Sequence, residues 1–242
     1  MDVLLLFESV GPVLGAPEVS ERLRMSRSTT YRYLQSLRSY DLLEEAEDGR
    51  GFRLGPRVLR LAKAVRQGLG VPEVALPIMR ELMLETDETV LLTRRSGANV
   101  VCVERVSSQH PIRLSYERGH IVPVHAGASA KVLLAYADPS EVDELLKNPL
   151  PRLTKHSVTE PAKLRRQLEQ IRREGFAVSH GEADANVTGI AAPIRDGADR
   201  VVAALSIAGV DFRIVDEAIP RLTACVVRAA QQISDRLADG HE

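Results

Sequence analysis

The apolar positions in the first part of the chain recur at helical spacing and then alternate as they do in strands. This pattern predicts three helices, at residues 2–10, 17–24 and 27–39, followed by two strands, at 42–46 and 51–54. Ser26 is a good N-cap for the third helix, and the Asp-Gly pair between the two strands is a hairpin signal. Three helices followed by a hairpin predict a winged helix-turn-helix.

The third predicted helix has an apolar side and a polar side. Residues at positions i, i+3, i+4 and i+7 predict a buried stripe of Thr30, Tyr33, Leu34 and Leu37. The opposite side carries Ser28, Thr29, Tyr31, Arg32 and Gln35. Because the major groove of DNA admits one helix, whose N-terminal half reaches the base edges, the polar side predicts a DNA contact. The predicted DNA-binding residues are Ser26, Arg27, Ser28, Thr29, Tyr31 and Arg32, with Arg50 at the tip of the hairpin.

The rest of the chain mixes both periodicities and predicts an α+β fold. Residues 56–68 form a predicted helix that is apolar on more than one side, and Gly68, Gly70 and Pro72 then interrupt the pattern. The predicted domains are a DNA-binding domain at 1–55, a linker helix at 56–70 and a larger domain at 71–242. In the larger domain, strands joined by short turns outnumber strand–helix–strand crossovers, so we expect a mostly antiparallel sheet flanked by helices. Its strands are predicted at 90–95, 100–106, 112–116, 177–180, 190–195 and 201–208, and its helices at 73–85, 129–137, 140–147, 161–174 and 214–238.

The composition is that of an ordinary folded protein, with 44% hydrophobic and 27% charged residues. No stretch approaches the roughly 20 apolar residues that a membrane span needs. The apolar start contains Asp2 and Glu8 and lacks a basic segment, unlike a signal peptide. Cys102 and Cys225 are far apart and have no neighbouring His or Cys, so they indicate neither a metal site nor a disulfide. We therefore expect a cytoplasmic protein without a membrane segment, a metal or a cofactor.

The net charge of −1 gives no general attraction to nucleic acid, but the charge is unevenly distributed. Between residues 20 and 38 there are five arginines and one acidic residue, Glu21. Such a run agrees with a surface for the DNA phosphates. It also agrees with a solvated face, or with a helical head that contacts a protein partner rather than DNA.

Four segments together resemble the IclR family of bacterial transcriptional regulators. They are EVSERLRMSRSTTYRYLQSL, DGRGFRLGPRVLRLA, VPVHAGASAKVLLA, and GIAAPIRD followed by VVAALSIAG, and they occur in the same order as in the family. The resemblance implies a winged helix-turn-helix, a linker helix and a GAF-like effector domain. It also implies homodimers or homotetramers that bind palindromic operators in double-stranded DNA. The effectors that it implies are small organic acids, carboxylic or aromatic, and the regulated genes are catabolic operons.

The run of small residues from His125 to Lys131 predicts part of an effector site. Free N–H groups at the start of the following helix, at Ala128, Ser129 and Ala130, together with the Ser129 hydroxyl, suit a carboxylate. The alternative is a loop that only shapes the turn. The run is not a P-loop, and no nucleophile elbow, Ser-x-x-Lys motif or metal pair accompanies it, so we expect no catalysis.

The remaining predicted effector residues come from the strands and from comparison with the family pattern. Ser206 is a polar residue on an apolar strand face, so it needs either a backbone partner or a ligand. Where family members often carry a second serine and a cysteine, this chain has Ala208 and Gly189, which implies a roomier and less polar site that favours a larger, aromatic effector. Leu114 and Ile190 are expected to form part of the apolar wall. The segment containing Ser179, His180 and Glu182 is expected to cover the mouth of the site, where His180 and Glu182 either contact the ligand or stay solvated. The predicted effector residues are Leu114, His125, Ala128, Ser129, Ser179, Glu182, Gly189, Ile190, Ser206 and Ala208.

Overall fold

The chain forms two compact units, residues 1–69 and residues 70–242. In this computed structural model the described residues are 2–46, 49, 51–67, 70–111, 114 and 116–239. Each unit has its own apolar core.

The N-terminal unit contains helices followed by a hairpin, in the predicted order. The elements are α1 (Asp2–Ser9), α2 (Ala16–Arg22), α3 (Arg27–Ser39), β1 (Leu43–Glu45), β2 (Phe52–Leu54) and α4 (Pro56–Gln67). β1 and β2 pair antiparallel. The core of this unit consists of Val3, Phe7, Leu14, Ala16, Val19, Leu34, Leu43 and Phe52. The prediction of a winged helix-turn-helix architecture is therefore confirmed.

Local chemistry fixes where α3 begins and which side it buries. The Ser26 hydroxyl accepts a hydrogen bond from the Thr29 N–H at 3.2 Å, which satisfies one of the free donors at the helix start. Thr30 and Leu34 are fully buried, as predicted, but Tyr33 is 49% exposed. The prediction for Tyr33 was wrong because this residue lies at the edge of the buried stripe, where its ring turns towards solvent beside the Arg32 guanidinium.

The start of α4 is fixed by a close approach between the backbones of Gly55 and Asp41. A Cβ at Gly55 would lie 2.3 Å from the carbonyl oxygen of Asp41, so no larger residue fits there without a shift of the backbone. The Gly55 N–H donates to the carbonyl of Leu42, and the Arg57 N–H donates to the carbonyl of Asp41. The turn that ends α3 thus also holds the first turn of α4.

The C-terminal unit is an antiparallel sheet with helices on both faces. In the described part of this unit the strands are β3 (Thr89–Ser96), β4 (Asn99–Val106), β5 (Ile121–Pro123), β6 (Ala177–His180), β7 (Val187–Arg195) and β8 (Val201–Val210), and the helices are α5 (Val71–Thr86), α6 (Ala128–Ala135), α7 (Pro139–Leu146), α8 (Pro161–Glu174) and α9 (Ile219–Asp239). The strand order is β5-β4-β3-β8-β7-β6, and every neighbouring pair is antiparallel. This confirms the α+β fold class.

The two faces of the sheet have different neighbours. One face packs its apolar side chains, among them Leu92, Ile190 and Leu205, against α5 and α9. The other face packs Val100, Ala191 and Ala204 with residues of α6 and α8. Because side chains alternate along a strand, adjacent residues such as Ile190 and Ala191 belong to different cores.

Two predicted elements of this unit differ from the structure. A strand was predicted at 112–116, but Leu114 and Tyr116 do not lie in a strand, and Ile112, Arg113 and Ser115 lie outside the described residues. The short strand that pairs with β4 on this side is β5. The last helix begins at Ile219, after a short 3-10 helix at Asp216–Ala218, rather than at residue 214. Pro220 explains this start, because proline suits the first turn of a helix but would clash with a preceding turn.

Candidate functional site

The polar side of α3 forms an exposed surface at the start of the helix. Ser26, Arg27, Ser28, Tyr31 and Arg32 are exposed, and Thr29 is partly buried. The Ser26 hydroxyl lies 3.0 Å from that of Ser28 and 2.8 Å from that of Thr29, so three hydroxyls cluster where the helix presents free N–H groups. This arrangement suits a phosphate or another anion.

The arginines of this surface differ from Arg38 at the end of the same helix. Arg38 forms an ion pair with Glu45 of β1, which offsets its charge within the unit. Within the described ranges, neither Arg27 nor Arg32 has an acidic partner; Arg32 instead stacks 5.9 Å from the ring centre of Tyr33. Arg50, predicted to reach DNA from the hairpin tip, lies outside the described residues.

A cavity lies in the C-terminal unit between the sheet and the start of α6. The cavity has a volume of about 70 Å³. Its apolar wall includes Leu91, Val100, Cys102, Val122 and Ala208. Its polar groups are Thr93, Tyr116, His120, Ser129, Ser179, Asp184 and Ser206. Apolar walls with a few polar groups are typical of sites for small organic ligands.

Strand alternation brings the sheet residues of the cavity together. Leu91 on β3 pairs directly with Ser206 on β8, and Ala208 on β8 pairs with Gly189 on β7. Gly189 in turn pairs with Ser179 on β6. Directly paired residues point to the same face of a sheet, so these strands supply one continuous wall. A Cβ at Gly189 would lie 3.3 Å from the Ser179 hydroxyl and 3.6 Å from the Ala128 Cβ, which shows how closely α6 approaches this wall.

The start of α6 supplies hydrogen-bond donors to the cavity. Gly127 caps the helix with a φ of 90°, a conformation that favours glycine. The first helical hydrogen bond runs from the Lys131 N–H to the Gly127 carbonyl, so the N–H groups of Ala128, Ser129 and Ala130 precede the helical ladder. These donors and the positive end of the helix dipole favour an anionic group.

Two side chains that line the cavity, Cys102 and Tyr116, are held in their neutral forms. Burial raises the pKa of the Cys102 thiol to about 11, and the Glu104 carboxylate adds to the effect. Burial also raises the pKa of Tyr116, again with help from a carboxylate, that of Asp184. At neutral pH both side chains are therefore uncharged. The Tyr116 ring meets that of His120 edge to face, with the ring centres 5.3 Å apart.

Six of the ten predicted effector residues line this cavity. They are Ala128, Ser129, Ser179, Gly189, Ser206 and Ala208. Leu114 does not line it, but packs against the lining residues Leu91, Cys102 and Ala208. Ile190 does not face it at all, because its neighbour Gly189 occupies the cavity side of β7 and alternation places Ile190 in the core with α5 and α9.

His125 and Glu182 are buried beside the cavity rather than in its lining. The Nε2–H of His125 donates to the Pro151 carbonyl at 2.9 Å. Burial lowers the pKa of His125, against smaller opposing effects of Pro151 and Glu182. Glu182 accepts a hydrogen bond at 2.5 Å from the buried ammonium of Lys131. Sequence reasoning placed both residues at the ligand because it had no indication of these internal partners.

Several cavity residues were missed by the sequence analysis. Tyr116, His120 and Asp184 carry its strongest polar chemistry, and Leu91, Thr93, Val100 and Cys102 form much of its wall. Alternation along β3 and β4, which is visible in the sequence, indicates that these four wall residues share one face of the sheet. No local signal placed Tyr116 or Asp184 there, since both lie in loops.

In the part of the chain that the structure describes, no group of three or more His, Cys, Asp or Glu residues is placed to hold a metal ion. Within the same residues, no helix has the length and apolar character to cross a membrane.

Comparison with known proteins agrees with both units. Residues 1–47 match the model of the IclR helix-turn-helix domain, and residues 63–235 match that of the bacterial transcriptional regulator IclR C-terminal domain. The HTH-type transcriptional regulator BhcR of Paracoccus denitrificans is 32% identical over 235 residues, which cover 97% of this chain and 84% of that protein. The regulator KipR of Bacillus subtilis is 30% identical, over 93% of this chain and 90% of that protein.

Solved structures of similar proteins cover the whole fold. The structure of an IclR homologue from Microbacterium hydrocarbonoxydans, complexed with 4-hydroxybenzoate, has a TM-score of 0.87 and 31% identity, and covers 97% of this chain and 95% of that one. The Thermotoga maritima IclR structure has a TM-score of 0.80 and 26% identity, with 98% and 96% covered. Both units, in this order, match one family, and the chain therefore belongs to the IclR family of bacterial HTH-type transcriptional regulators.

Proposed function

We propose that this protein is a ligand-responsive regulator of a catabolic operon that senses a small organic acid, carboxylic or aromatic. The observation that carries the proposal is the cavity at the start of α6, which combines apolar walls with unpaired N–H donors. A carboxylate on the donors and an apolar ring or chain against the wall would satisfy both parts of the cavity. The similar IclR homologue that was solved in complex with 4-hydroxybenzoate supports a small aromatic acid as the effector.

The polar side of α3 is the proposed operator contact. The residues that would contact DNA are Ser26, Arg27, Ser28, Thr29, Tyr31 and Arg32. The hydroxyl cluster and the N-terminus of α3 would bind a phosphate, and Arg32 would bind a phosphate or a guanine. Arg50 remains a prediction for the neighbouring backbone or minor groove. The same surface would also suit a protein partner, but the match to the IclR helix-turn-helix domain favours DNA.

The proposed regulator is a cytoplasmic homodimer or homotetramer, and α4 is its proposed dimerisation element. Leu59 and Leu61 on α4 are 72% and 54% exposed, although they are large and apolar. Exposed apolar side chains along one helix indicate a protein contact. Pairing of two DNA-binding units would match two operator half-sites. The effector would act by favouring one arrangement of the paired units, which requires different affinities for the two arrangements.

The test begins with the selection of operator sequences from a random pool of DNA duplexes by the full-length protein. Aromatic and aliphatic acids, with 4-hydroxybenzoate as the first probe, are then screened by thermal shift and added to the protein–operator complex. We expect an acid that raises the unfolding temperature with concentration and changes operator affinity by about 5- to 150-fold.

Three results would contradict the proposal. If no duplex were enriched, the protein-partner alternative would replace operator binding. If bound acids left operator affinity unchanged, the protein would not be ligand-responsive. If an acid were converted into a product during incubation, the protein would be an enzyme rather than a sensor.

A further inference from the structure

A buried ion pair joins two walls of the ligand cavity without lining it. The Lys131 ammonium lies 2.5 Å from Glu182 Oε1, and the two side chains are only 2% and 8% exposed. Lys131 is on α6, whose start supplies the N–H donors, and Glu182 is in the loop between β6 and β7. The residues on either side of the pair, Ser129 on α6 and Ala183 and Asp184 in the loop, do line the cavity.

Further hydrogen bonds connect the pair to the surrounding backbone. The second carboxylate oxygen of Glu182 accepts from the Gly127 N–H at 3.5 Å, next to the first residue of α6. The Glu182 carbonyl accepts from the Ser157 hydroxyl at 2.8 Å. The Lys131 ammonium also donates to the Gln167 side chain on α8 at 3.4 Å. Glu182 therefore fixes its own loop, the loop around Ser157 and the start of α6 relative to one another.

A buried pair of this kind is weak evidence for a role in stability. Removing two charges from water costs about as much as their attraction returns, and well-packed apolar side chains in their place are often equally stable. The pair does provide directed contacts of fixed geometry. The loop also lies next to the helix start, since a Cβ at Gly127 would be in van der Waals contact with the Ala183 Cβ, at 3.5 Å.

We propose that Lys131 and Glu182 are positioning residues for the effector cavity, which hold the loop at 181–186 against the start of α6 in the geometry that a ligand requires. The proposal rests on the proposed function for its ligand, a small organic acid. Neither residue touches that ligand. Their role is to keep the α6 donors and the Asp184 side of the cavity at a fixed separation.

The experiment compares two double variants of the full-length protein. Lys131→Met with Glu182→Met removes the positioning pair. Glu88→Met with Arg213→Met removes a second largely buried pair, whose side chains are 6% and 17% exposed and which does not line the cavity. Hydrogen–deuterium exchange is measured without ligand, and affinity is measured by calorimetry with 4-hydroxybenzoate or the best acid from the screen.

We expect the first double variant to fold and to exchange the amides at 126–131 and 181–186 at least tenfold faster than the wild type. We also expect it to bind the acid at least tenfold more weakly, while the control variant matches the wild type in both measurements. If the double variant does not fold, Glu182→Gln, which keeps the shape and loses the charge, takes its place with the same expectations.

Unchanged exchange in both segments of a folded variant would overturn the proposal, and so would unchanged affinity for the acid. If the wild type binds no acid at all, the proposed function fails by itself. The exchange measurement then decides the positioning role alone, with faster exchange at both segments supporting it and unchanged exchange overturning it.

Discussion

The two units of this protein carry their candidate functional residues in opposite ways. In the N-terminal unit, the described members of the predicted DNA-binding set fall within residues 26–32, on one side of α3, and most are exposed. In the C-terminal unit, the cavity draws residues from Leu91 to Ala208, and many of them are buried. A surface on one helix follows from local periodicity, whereas a cavity between a sheet and a helix exists only when distant segments pack together.

The two units also differ in whether their charged side chains are exposed to solvent or paired in the interior. The arginines at the start of α3 keep their charge in solvent, where it is available to an anionic partner. In the cavity, burial keeps Tyr116 and Cys102 neutral, and the neighbouring charge of Lys131 is offset by Glu182. A substitution on α3 should therefore change long-range attraction, while one in the cavity should change shape and hydrogen bonding.

The largest effect is expected from filling the cavity. In the Gly189→Leu variant, the new side chain would enter the space between Ser179 and Ala128. We expect affinity for the effector acid to fall more than 100-fold while operator binding is retained. Ile190→Val is the matched control, because it alters the opposite face of the same strand and should cost only about 0.5–1.5 kcal/mol of stability. Retained acid affinity in Gly189→Leu would mean that this cavity is not the effector site.

A smaller effect is expected on the exposed surface. If Arg32 contacts a phosphate, Arg32→Ala should weaken operator binding about tenfold and reduce the slope of log K against log salt by about one unit. Arg38→Ala is the control on the same helix, since Arg38 is already paired with Glu45. Titrations at several salt concentrations measure both quantities. Equal slopes for wild type and Arg32→Ala would remove Arg32 from the interface.

The smallest effect is expected at the helix cap. Ser26→Ala removes the acceptor for the Thr29 N–H and should lower the free energy of unfolding of the N-terminal unit by about 1 kcal/mol. Ser39→Ala, at the other end of α3, removes only a bond to the Ser36 carbonyl and should change it little. Urea unfolding followed by circular dichroism compares the two. Equal losses would show that the cap is not what stabilises the start of α3.

Besides the strand predicted at 112–116 and the start of the last helix, the errors of the sequence analysis concern packing. Helical spacing assigned Tyr33 to the buried stripe, but the core of the N-terminal unit closes over Thr30 and Leu34 and leaves Tyr33 outside. Ile190 was assigned to the cavity with Gly189, although neighbours on a strand point to opposite faces. Glu182 was expected at a ligand because nothing in the sequence indicates its partner Lys131, which is 51 residues away.

The sequence by itself determined the order of the helices and strands, the polar side of α3 and the resemblance to one family. These features depend on local spacing, caps and turns, which act over a few residues. Only the tertiary structure decided which strand face meets α6, that Tyr116 and Asp184 border the cavity, and that Lys131 and Glu182 pair. The reason is physical: local periodicity shows which residues share a face, but segments far away in the chain decide what packs against that face and which residues become partners.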